Sequence, residues 1–367
     1  MKKICIFLVG CLWVSILSSC VPAKKASDEF FFESDSQVYM YADLWGYSFA
    51  EGPQGYYYIF ENKLHIIDKT TFLDTVLCAK PNCTHEDETC NAMVGTPIEN
   101  LHYSDGALYT LGEVSNFGEP AHWFLQRISL DGSSRKRIAD ITWDTSKCEG
   151  LPVFFVVHRG KFYYIVQQDA GIDGCDLLME LDMETGKTKE IAEMPGMQYL
   201  KAVGENLYWR SHGENVSIYQ YNVTSKEITA WENGRLLYLC KDKLLLATYD
   251  TENKRYDLSW KDYAGEDIGD TFFRLQLGQN AFQADGKYFY RYAYAGEDRT
   301  LDVYDVATLE PVTVLEVPES ITSYYRCMVC PGEILILYDT GKAIVYYAST
   351  SSIGTPDFQW HEVEKVN

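Results

Sequence analysis

Residues 160–186 read GKFYYIVQQDAGIDGCDLLMELDMETG, and this stretch decides the fold. A turn at Gly160 leads into the aromatic strand KFYYIV, and the apolar strand LLMELD ends in the acidic turn DMETG. In the second strand Leu181 and Met183 alternate with acidic residues, a period of two that is typical of a β-strand with one buried face. The stretch therefore predicts two consecutive strands of an antiparallel sheet.

The same pair of strands recurs along the chain, which indicates a repeat fold. The aromatic strand appears as GYYYIFE, GALYTLG, GKFYYIV, GENLYWR, KDKLLLATY, GKYFYRYAY and GEILILY. The strand after it appears as KLHIID, FLQRISLDG, LLMELDMETG, SIYQYNVTS, YDLSWKDYAG, TLDVYDVATLE and KAIVYYAS. The units recur at about the 40 to 50 residues of a four-stranded blade. We predict an all-β protein, a β-propeller of seven four-stranded blades. A two-sheet sandwich would not explain the repeated four-strand cycle.

This interpretation divides the chain into three parts. Residues 1–19 are a lipoprotein signal peptide, residues 20–36 a lipidated N-terminus and tether, and residues 37–367 the propeller. The blades are placed at residues 37–98, 99–147, 148–197, 198–234, 235–279, 280–320 and 321–367. An additional strand, QVYMYAD from Gln37, would close the ring against the last blade or cover an exposed edge.

The N-terminus, MKKICIFLVGCLWVSILSSC, has the layout of a secretory signal, with two lysines, an apolar run and small residues. The run is shorter than the about 20 apolar residues of a membrane-spanning helix, which favours a cleaved signal. Residues 17–20, LSSC, resemble the lipobox of bacterial lipoproteins. The resemblance implies that Cys20 carries fatty acyl chains such as palmitate and anchors an extracytoplasmic protein to the cell membrane. The alternative is an ordinary secretory signal with a cysteine beside its cleavage site.

The chain is acidic, with a formal net charge of -21, and loss of residues 1–19 would remove two lysines and no acid. Such a surface repels phosphate backbones and anionic lipid headgroups. We therefore expect no nucleic-acid partner, and membrane attachment through the lipid alone. The segment after Cys20 is polar apart from three phenylalanines at residues 30–32, and it reads as a short tether.

The most distinctive local motif lies at the end of the first unit, where Cys78, Cys83, His85 and Cys90 form C-x4-C-x-H-x4-C. Three thiolates and an imidazole are a recognised ligand set for structural zinc, and a metal would order a loop that has little apolar content. In an exported protein two of the cysteines would instead form a disulfide, and an anaerobic environment would leave free thiols. The spacing leaves these three states open.

By its turns and repeat, the part of the chain from residue 37 onward resembles the propeller-containing surface lipoproteins of gut Firmicutes and related bacteria. It is more distantly similar to TolB and tricorn-type propellers. Segments like the cysteine and histidine motif are typical of that lipoprotein group. The resemblance implies the fold and the lipid anchor, and it assigns no activity because propellers serve many functions.

The remaining candidates offer no recognisable catalytic set. The chain contains no G-x-S-x-G, phosphate-loop or H-E-x-x-H motif. Acidic pairs such as Asp302 with Asp305 are expected by chance in a chain with 53 acidic residues. Cys148 and Cys175 would pair across an insertion, whereas Cys327 and Cys330 lie three apart in a predicted strand and read as packing cysteines, one of them near Cys240. Six tryptophans would either bind sugar rings or pack between blades: Trp123, Trp143, Trp209, Trp231, Trp260 and Trp360.

We therefore expect a binding or scaffolding module for a protein or glycan partner. Binding residues of such folds lie on loops, and the longest irregular stretches are residues 115–123, 142–152 and 168–174. The alternative is a surface enzyme that acts on carbohydrate or peptide through acidic residues at the propeller channel. A solute-capturing subunit of a transporter would show a two-lobed α/β layout, which this sequence does not predict.

Overall fold

The structure is a computed structural model. It describes residues 29–30, 49–94, 100–114, 121–168, 175–211, 217–231, 235–239, 243–250, 252–253, 255–276, 280–285, 287–293, 299–308, 310–321, 325–330, 333–339 and 344–366. Within these residues the secondary structure is 29 β-strands and one turn of 3-10 helix at Thr350–Ser352. No helix among them is long and apolar enough to cross a membrane.

The strands form seven sheets, each built on an antiparallel meander of four consecutive strands. Blade 1 comprises β1 (Phe49–Glu51), β2 (Gly55–Phe60), β3 (Lys63–Asp68) and β4 (Leu73–Val76). Blade 2 comprises β5 (Leu101–Ser104), β6 (Ala107–Val114), β7 (His122–Ser129) and β8 (Arg135–Ile141). Blade 3 comprises β9 (Leu151–His158), β10 (Lys161–Gln167), β11 (Asp176–Asp182) and β12 (Thr188–Met194). Blade 4 comprises β13 (Met197–Val203), β14 (Asn206–Ser211), β15 (Ile218–Asn222) and β16 (Ile228–Trp231).

The last three blades repeat the pattern. Blade 5 comprises β17 (Arg235–Leu239), β18 (Leu244–Asp250), β19 (Arg255–Lys261) and β20 (Asp267–Gln276). Blade 6 comprises β21 (Asn280–Ala284), β22 (Tyr288–Ala293), β23 (Thr300–Asp305) and β24 (Pro311–Glu316). Blade 7 comprises β25 (Tyr325–Cys330), β26 (Ile334–Asp339), β27 (Ile344–Ser349) and β28 (His361–Glu362), and β29 (Glu364–Lys365) follows. The protein is a seven-bladed β-propeller, and the prediction from the repeat is confirmed.

Each blade is apolar on both faces near the centre and half-exposed at its outer edge. The second strands are buried along nearly their whole length, as in β10, because neighbouring blades cover both faces of the sheet. Outer strands such as β12 keep exposed residues. This arrangement explains the unbroken aromatic and aliphatic runs in the repeat. The additional strand predicted from Gln37 lies outside the described residues.

The first strand of each blade lies at the centre of the ring, since β5 contacts both β1 and β9, and β13 contacts β9. Two side chains of blade 2 show the relative direction of β5 and β9: Asn100 donates to the carbonyl of Val153, and His102 Nε2 lies 3.1 Å from the carbonyl oxygen of Val157. The two strands therefore run in the same direction. The turns that follow them lie on one face of the propeller, and the connections that precede them lie on the other.

The ring closes between blade 7 and blade 1. Phe49, Tyr56 and Tyr58 of blade 1 share an apolar cluster with Ile336 and Tyr338 of blade 7. Beyond β28 the chain crosses this junction, and β29 pairs in parallel with β4, the outer strand of blade 1. Blade 1 is therefore a five-stranded sheet whose last strand comes from the other end of the chain.

Candidate metal centre

The four residues of the cysteine and histidine motif converge in the connection between β4 and β5. One ligand atom from each of Cys78, Cys83, His85 and Cys90 lies within 4.8 Å of each of the others. His85 Nδ1 is 3.3 Å from Cys90 Sγ. Cys90 is buried and the other three are half-buried. The motif that the sequence singled out thus forms one compact set of donor atoms.

Backbone hydrogen bonds tie both ends of this connection, residues 77–94 (the clasp segment), to the beginning of β3. The amide of Leu77 donates to the carbonyl of Leu64 at 2.8 Å, and the amide of Leu64 donates to the carbonyl of Ala92 at 2.8 Å. The amide of Val94 donates to the carbonyl of Asn62 at 2.9 Å. The clasp segment therefore leaves and returns at the same place, so its middle residues form a closed loop.

The middle of the loop turns tightly without glycine. Asn82 and His85 both have left-handed backbones, with φ of 56° and 59°, a conformation that costs roughly 1–2 kcal/mol for most residues. Asp87 Oδ1 accepts a hydrogen bond from the Thr89 amide at 2.8 Å, which fixes the turn before Cys90. Local turns thus direct Cys83, His85 and Cys90 toward a common point, and the backbone at His85 carries part of the cost.

Burial and hydrogen bonds act in opposite directions on the pKa values of the cysteine thiols. Burial raises the pKa of the Cys90 thiol to about 11. Burial also disfavours ionisation of Cys78, but the amides of Lys80 and Asn91 and the thiols of Cys90 and Cys83 together outweigh it, so the pKa of Cys78 is lowered. The amide of Ala92 donates to Cys90 Sγ at 3.3 Å. Amides directed at sulfur stabilise thiolate, the form that binds metals.

The clasp segment is also fixed to blade 2, at the turn between β7 and β8. Asn91 Nδ2 donates to the carbonyl of Gly132 at 2.9 Å, and the amide of Ala79 donates to the same oxygen at 3.2 Å. Arg135 donates to the carbonyls of Met93 and Glu88. Gly132 has φ of +68°, and a Cβ there would lie 2.6 Å from the carbonyl oxygen of Leu77. The donor set therefore sits at the junction between blades 1 and 2.

The other cysteines remain apart from this set. Cys148 and Cys175 are separate thiols, and burial raises the pKa of both. Cys327 is fully buried in β25, and burial strongly raises its pKa, as expected for a packing cysteine in a strand. The side chain of Cys330, as well as Cys20 and Cys240, lies outside the described part of the chain.

The tryptophans belong to the core between blades. Trp209 is buried, stacks on Tyr219 with ring centroids 5.6 Å apart, and directs its indole N–H at the sulfur of Met194. The others are buried or packed against apolar clusters: Trp123, Trp143, Trp231, Trp260 and Trp360. The acidic pair is also accounted for structurally, because Asp302 pairs with Arg291 and Asp305 accepts from the amides of its own turn.

Three basic side chains come together on the inner strands, and the sequence pattern does not predict this group. His158 on β9 and Lys201 on β13 are buried, and His102 on β5 is half-buried. Burial lowers the pKa of His102 to about 3 and that of Lys201 to about 8. His102 is therefore neutral at pH 7. Single basic residues in apolar strands carry no local signal that they will meet at the centre of a ring.

Residues 29–30, which belong to the predicted tether, contact the propeller at the end of β9 that carries His158. The ring of Phe30 stacks on His158 with centroids 6.1 Å apart, and the guanidinium of Arg159 lies 3.9 Å from the centroid of the Phe30 ring. Arg159 also donates to the carbonyl of Glu29 at 3.2 Å. His158 ends β9, and Arg159 lies in the turn between β9 and β10. We name this side the tight-turn face, defined by the turns after β5 and β9.

The predicted binding loops leave from the opposite ends of the strands. They follow β6, β8 and β10, at residues 115–121, 142–150 and 168–175. In an antiparallel meander the ends of the second and fourth strands lie opposite the turn that joins the first and second. We name this side the long-loop face. Most of the first and third loops lies outside the described residues, whereas residues 142–150 are described.

The chain matches no protein-family model and no curated protein sequence. Solved structures resemble it in fold. Tricorn protease aligns with a TM-score of 0.51 and 11% identity, over 92% of this chain and 35% of the protease. The β-propeller domain of the Trilobed protease from Pyrococcus furiosus aligns with a TM-score of 0.41 and 13% identity, over 73% of this chain and 95% of that domain. At these identities the likeness shows the fold alone.

Proposed function

We propose that this protein is a lipid-anchored extracytoplasmic binding module, which presents the long-loop face of its propeller to a protein or glycan. The observation that carries the proposal is the contact of Phe30 with His158 and Arg159. Phe30, which follows Cys20 by ten residues, lies at the tight-turn face, and this supports an anchor on the side opposite the long loops.

The length of the tether supports this orientation. Glu29 lies nine positions after Cys20, and an extended chain spans at most about 3.3–3.6 Å per residue. The lipid would therefore hold the tight-turn face within roughly 30 Å of the bilayer surface. The long-loop face would point away from the membrane, where a large partner has access.

The chemistry of the long-loop face fits a polar partner. In the described loop after β8, Asp144 and Ser146 are exposed, and Lys147 pairs with Glu190 and Glu193 of β12 at 3.0 and 3.1 Å. Exposed carboxylates and hydroxyls can bind a basic protein surface or sugar hydroxyls through hydrogen bonds. The net charge of -21 disfavours phosphate-rich ligands.

Membrane fractionation tests the anchor. In cells that express the full chain, we expect the Cys20→Ala variant to leave the membrane fraction or to accumulate with its signal peptide uncleaved. A Ser19→Ala variant, which keeps a small residue before the cysteine, serves as the control and should stay anchored. Firm membrane binding of a processed Cys20→Ala protein would contradict the lipid anchor.

Site-specific photocrosslinking tests the binding face. A photoreactive residue at Thr145, exposed in the loop after β8, should crosslink to an envelope protein or glycan. The same residue at Asp105, exposed in the turn after β5, is the matched control on the tight-turn face. Crosslinks from position 105 alone would show that the partner binds the tight-turn face, which would contradict the proposed orientation. The absence of crosslinks from both positions would contradict the binding role.

A further inference from the structure

We propose that Cys78, Cys83, His85 and Cys90 bind one structural Zn²⁺ ion, which fixes the clasp segment at the junction of blades 1 and 2. The inference does not depend on the binding role of the protein. It rests on the convergence of the donor atoms, the polar character of the loop that carries them, and the contacts that this loop makes with blade 2.

The donor geometry fits a tetrahedral site. Zinc binds thiolate sulfur at about 2.3 Å and imidazole nitrogen at about 2.0–2.1 Å, so the ligand atoms of a tetrahedral site with three sulfurs and one nitrogen are roughly 3.5–3.8 Å apart. The four donor atoms here all lie within 4.8 Å of one another, and the measured pair, His85 Nδ1 and Cys90 Sγ, is 3.3 Å apart. No pair of donor atoms needs to change its separation by more than about 1 Å for coordination.

A disulfide accounts for less of the arrangement. It would join two sulfur atoms at about 2.05 Å and leave the third thiol and the imidazole without a role. A metal uses all four residues, and in the structure Cys78, Cys83 and Cys90 are free thiols.

The exposed middle of the loop has little apolar burial to hold it in place. Residues 79–82 and 86–89 are exposed, and a segment with few apolar side chains cannot offset its conformational entropy by burial. Metal binding commonly supplies this ordering energy in small loops. The buried Cys90, whose sulfur accepts from the amide of Ala92 at 3.3 Å, would be the innermost ligand.

Four protein ligands leave no open position for water, which is typical of structural rather than catalytic zinc. The consequence of binding is mechanical. Asn91 and Ala79, each adjacent to a ligand, donate to Gly132, and Arg135 holds Met93 and Glu88. A metal that fixes the ligands also fixes these donors and acceptors, so it joins the outer edge of blade 1 to blade 2.

Metal analysis of the full chain, purified from membranes in detergent without added reductant or chelator, tests the proposal. We expect one zinc per chain. Cobalt substitution should give the absorption of a tetrahedral site with thiolate ligands. Cys83→Ser and His85→Ala should each lower zinc affinity at least about 100-fold, whereas the matched controls Cys175→Ser and His361→Ala, outside the donor set, should retain zinc.

Two results would overturn the proposal. One is a metal-free protein that does not take up zinc and whose intact mass is two hydrogens below that of the reduced chain, as a disulfide requires. The other is unchanged zinc content in Cys83→Ser and His85→Ala, which would indicate an adventitious ion. If either variant does not fold, chelator titration of the wild-type protein decides: removal of one zinc should lower its Tm, and an unchanged Tm would contradict the structural role.

Discussion

Blade 1 is joined to its two neighbours in different ways. Toward blade 7 the junction is apolar and aromatic: the rings of Phe72 and Tyr347 stack with centroids 3.8 Å apart, and Tyr58 meets Tyr338 edge-on at 5.4 Å. Val363, between β28 and β29, is buried in the same cluster. We name this the closure junction. Its contacts depend on burial, which is strong and largely non-directional.

Toward blade 2 an apolar inner layer is covered by a polar outer one. Tyr57, Leu108 and Ile128 pack together in the inner layer. Outside them the clasp segment reaches blade 2 through directed hydrogen bonds from Asn91 and Arg135. We name this the clasp junction. A long polar connection can therefore hold two blades together through directed hydrogen bonds, although it buries little apolar surface. In our proposal a metal adds to these bonds.

The closure junction should be the more sensitive to a buried charge. Val363→Asp places a carboxylate where the side chain is 5% exposed, so we expect a loss of about 3 kcal/mol or more in the free energy of unfolding. Val314→Asp is the matched control, because Val314 is 57% exposed on the outer strand β24. Urea denaturation measures both. Equal losses would show that closure contributes little stability.

At the clasp junction, two glycine substitutions distinguish the cost of a left-handed backbone from the cost of a steric clash. Gly132→Ala and Gly186→Ala both place alanine at a left-handed φ, +68° and +69°. A Cβ at Gly132 would collide with the carbonyl of Leu77, whereas nothing lies within 4 Å of one at Gly186. We expect Gly132→Ala to lose about 2 kcal/mol more than Gly186→Ala. A difference near zero in urea denaturation would mean that the clasp segment moves freely.

Directed hydrogen bonds at the clasp junction should have a smaller effect. Arg135→Ala removes the donors to Met93 and Glu88, and we expect a loss of about 1.5 kcal/mol. Arg137→Ala, on the same strand, removes an exposed pair with Asp140 and should cost less than about 0.5 kcal/mol. Thermal unfolding of the two variants would refute the clasp contact if their Tm values were the same.

The last effect concerns Glu51 at the end of β1, within blade 1 itself. Burial raises its pKa from 4.5 to about 7, although Lys69 pairs with the carboxylate and opposes the shift. The folded protein thus retains a proton that the unfolded chain loses, so the free energy of unfolding should fall as pH rises from about 4.5 to about 7, by at most about 3 kcal/mol for a shift of this size.

Denaturation of wild type and Glu51→Gln at pH 5 and pH 8 measures this contribution. The glutamine variant should lack the decrease that Glu51 causes, and Glu184→Gln, at an exposed turn, should behave as wild type. If Glu51→Gln and wild type lose equal stability over this range, Glu51 is already ionised at pH 5.

The fold and the donor set were predictable because their signals are local. A second strand covered on both faces by other blades needs a continuous apolar run, and the run repeats with each blade, as β2, β10 and β14 show. The cysteine and histidine motif spans thirteen residues, so its donors can converge through turns alone. Local constraints of this kind appear directly in sequence.

Contacts between distant segments were not predictable. The sequence gives no sign that Phe30 will stack on His158, or that His102 and Lys201 will lie near each other at the centre of the ring. The two-residue strand β29 is too short to show any periodicity. These features depend on the closed ring, which exists only after the local elements have assembled.

The pairing of β29 with β4 has a consequence for the time order of folding. Glu364 pairs with Leu73, so the contact joins segments that are far apart in the chain. Such non-local contacts form slowly, because the chain must lose loop-closure entropy before it gains the energy of the contact. During synthesis the first blade would keep an unpaired outer edge, open to aggregation or proteolysis, until β29 emerges. The arrival of β29 would therefore determine when this edge becomes resistant to attack.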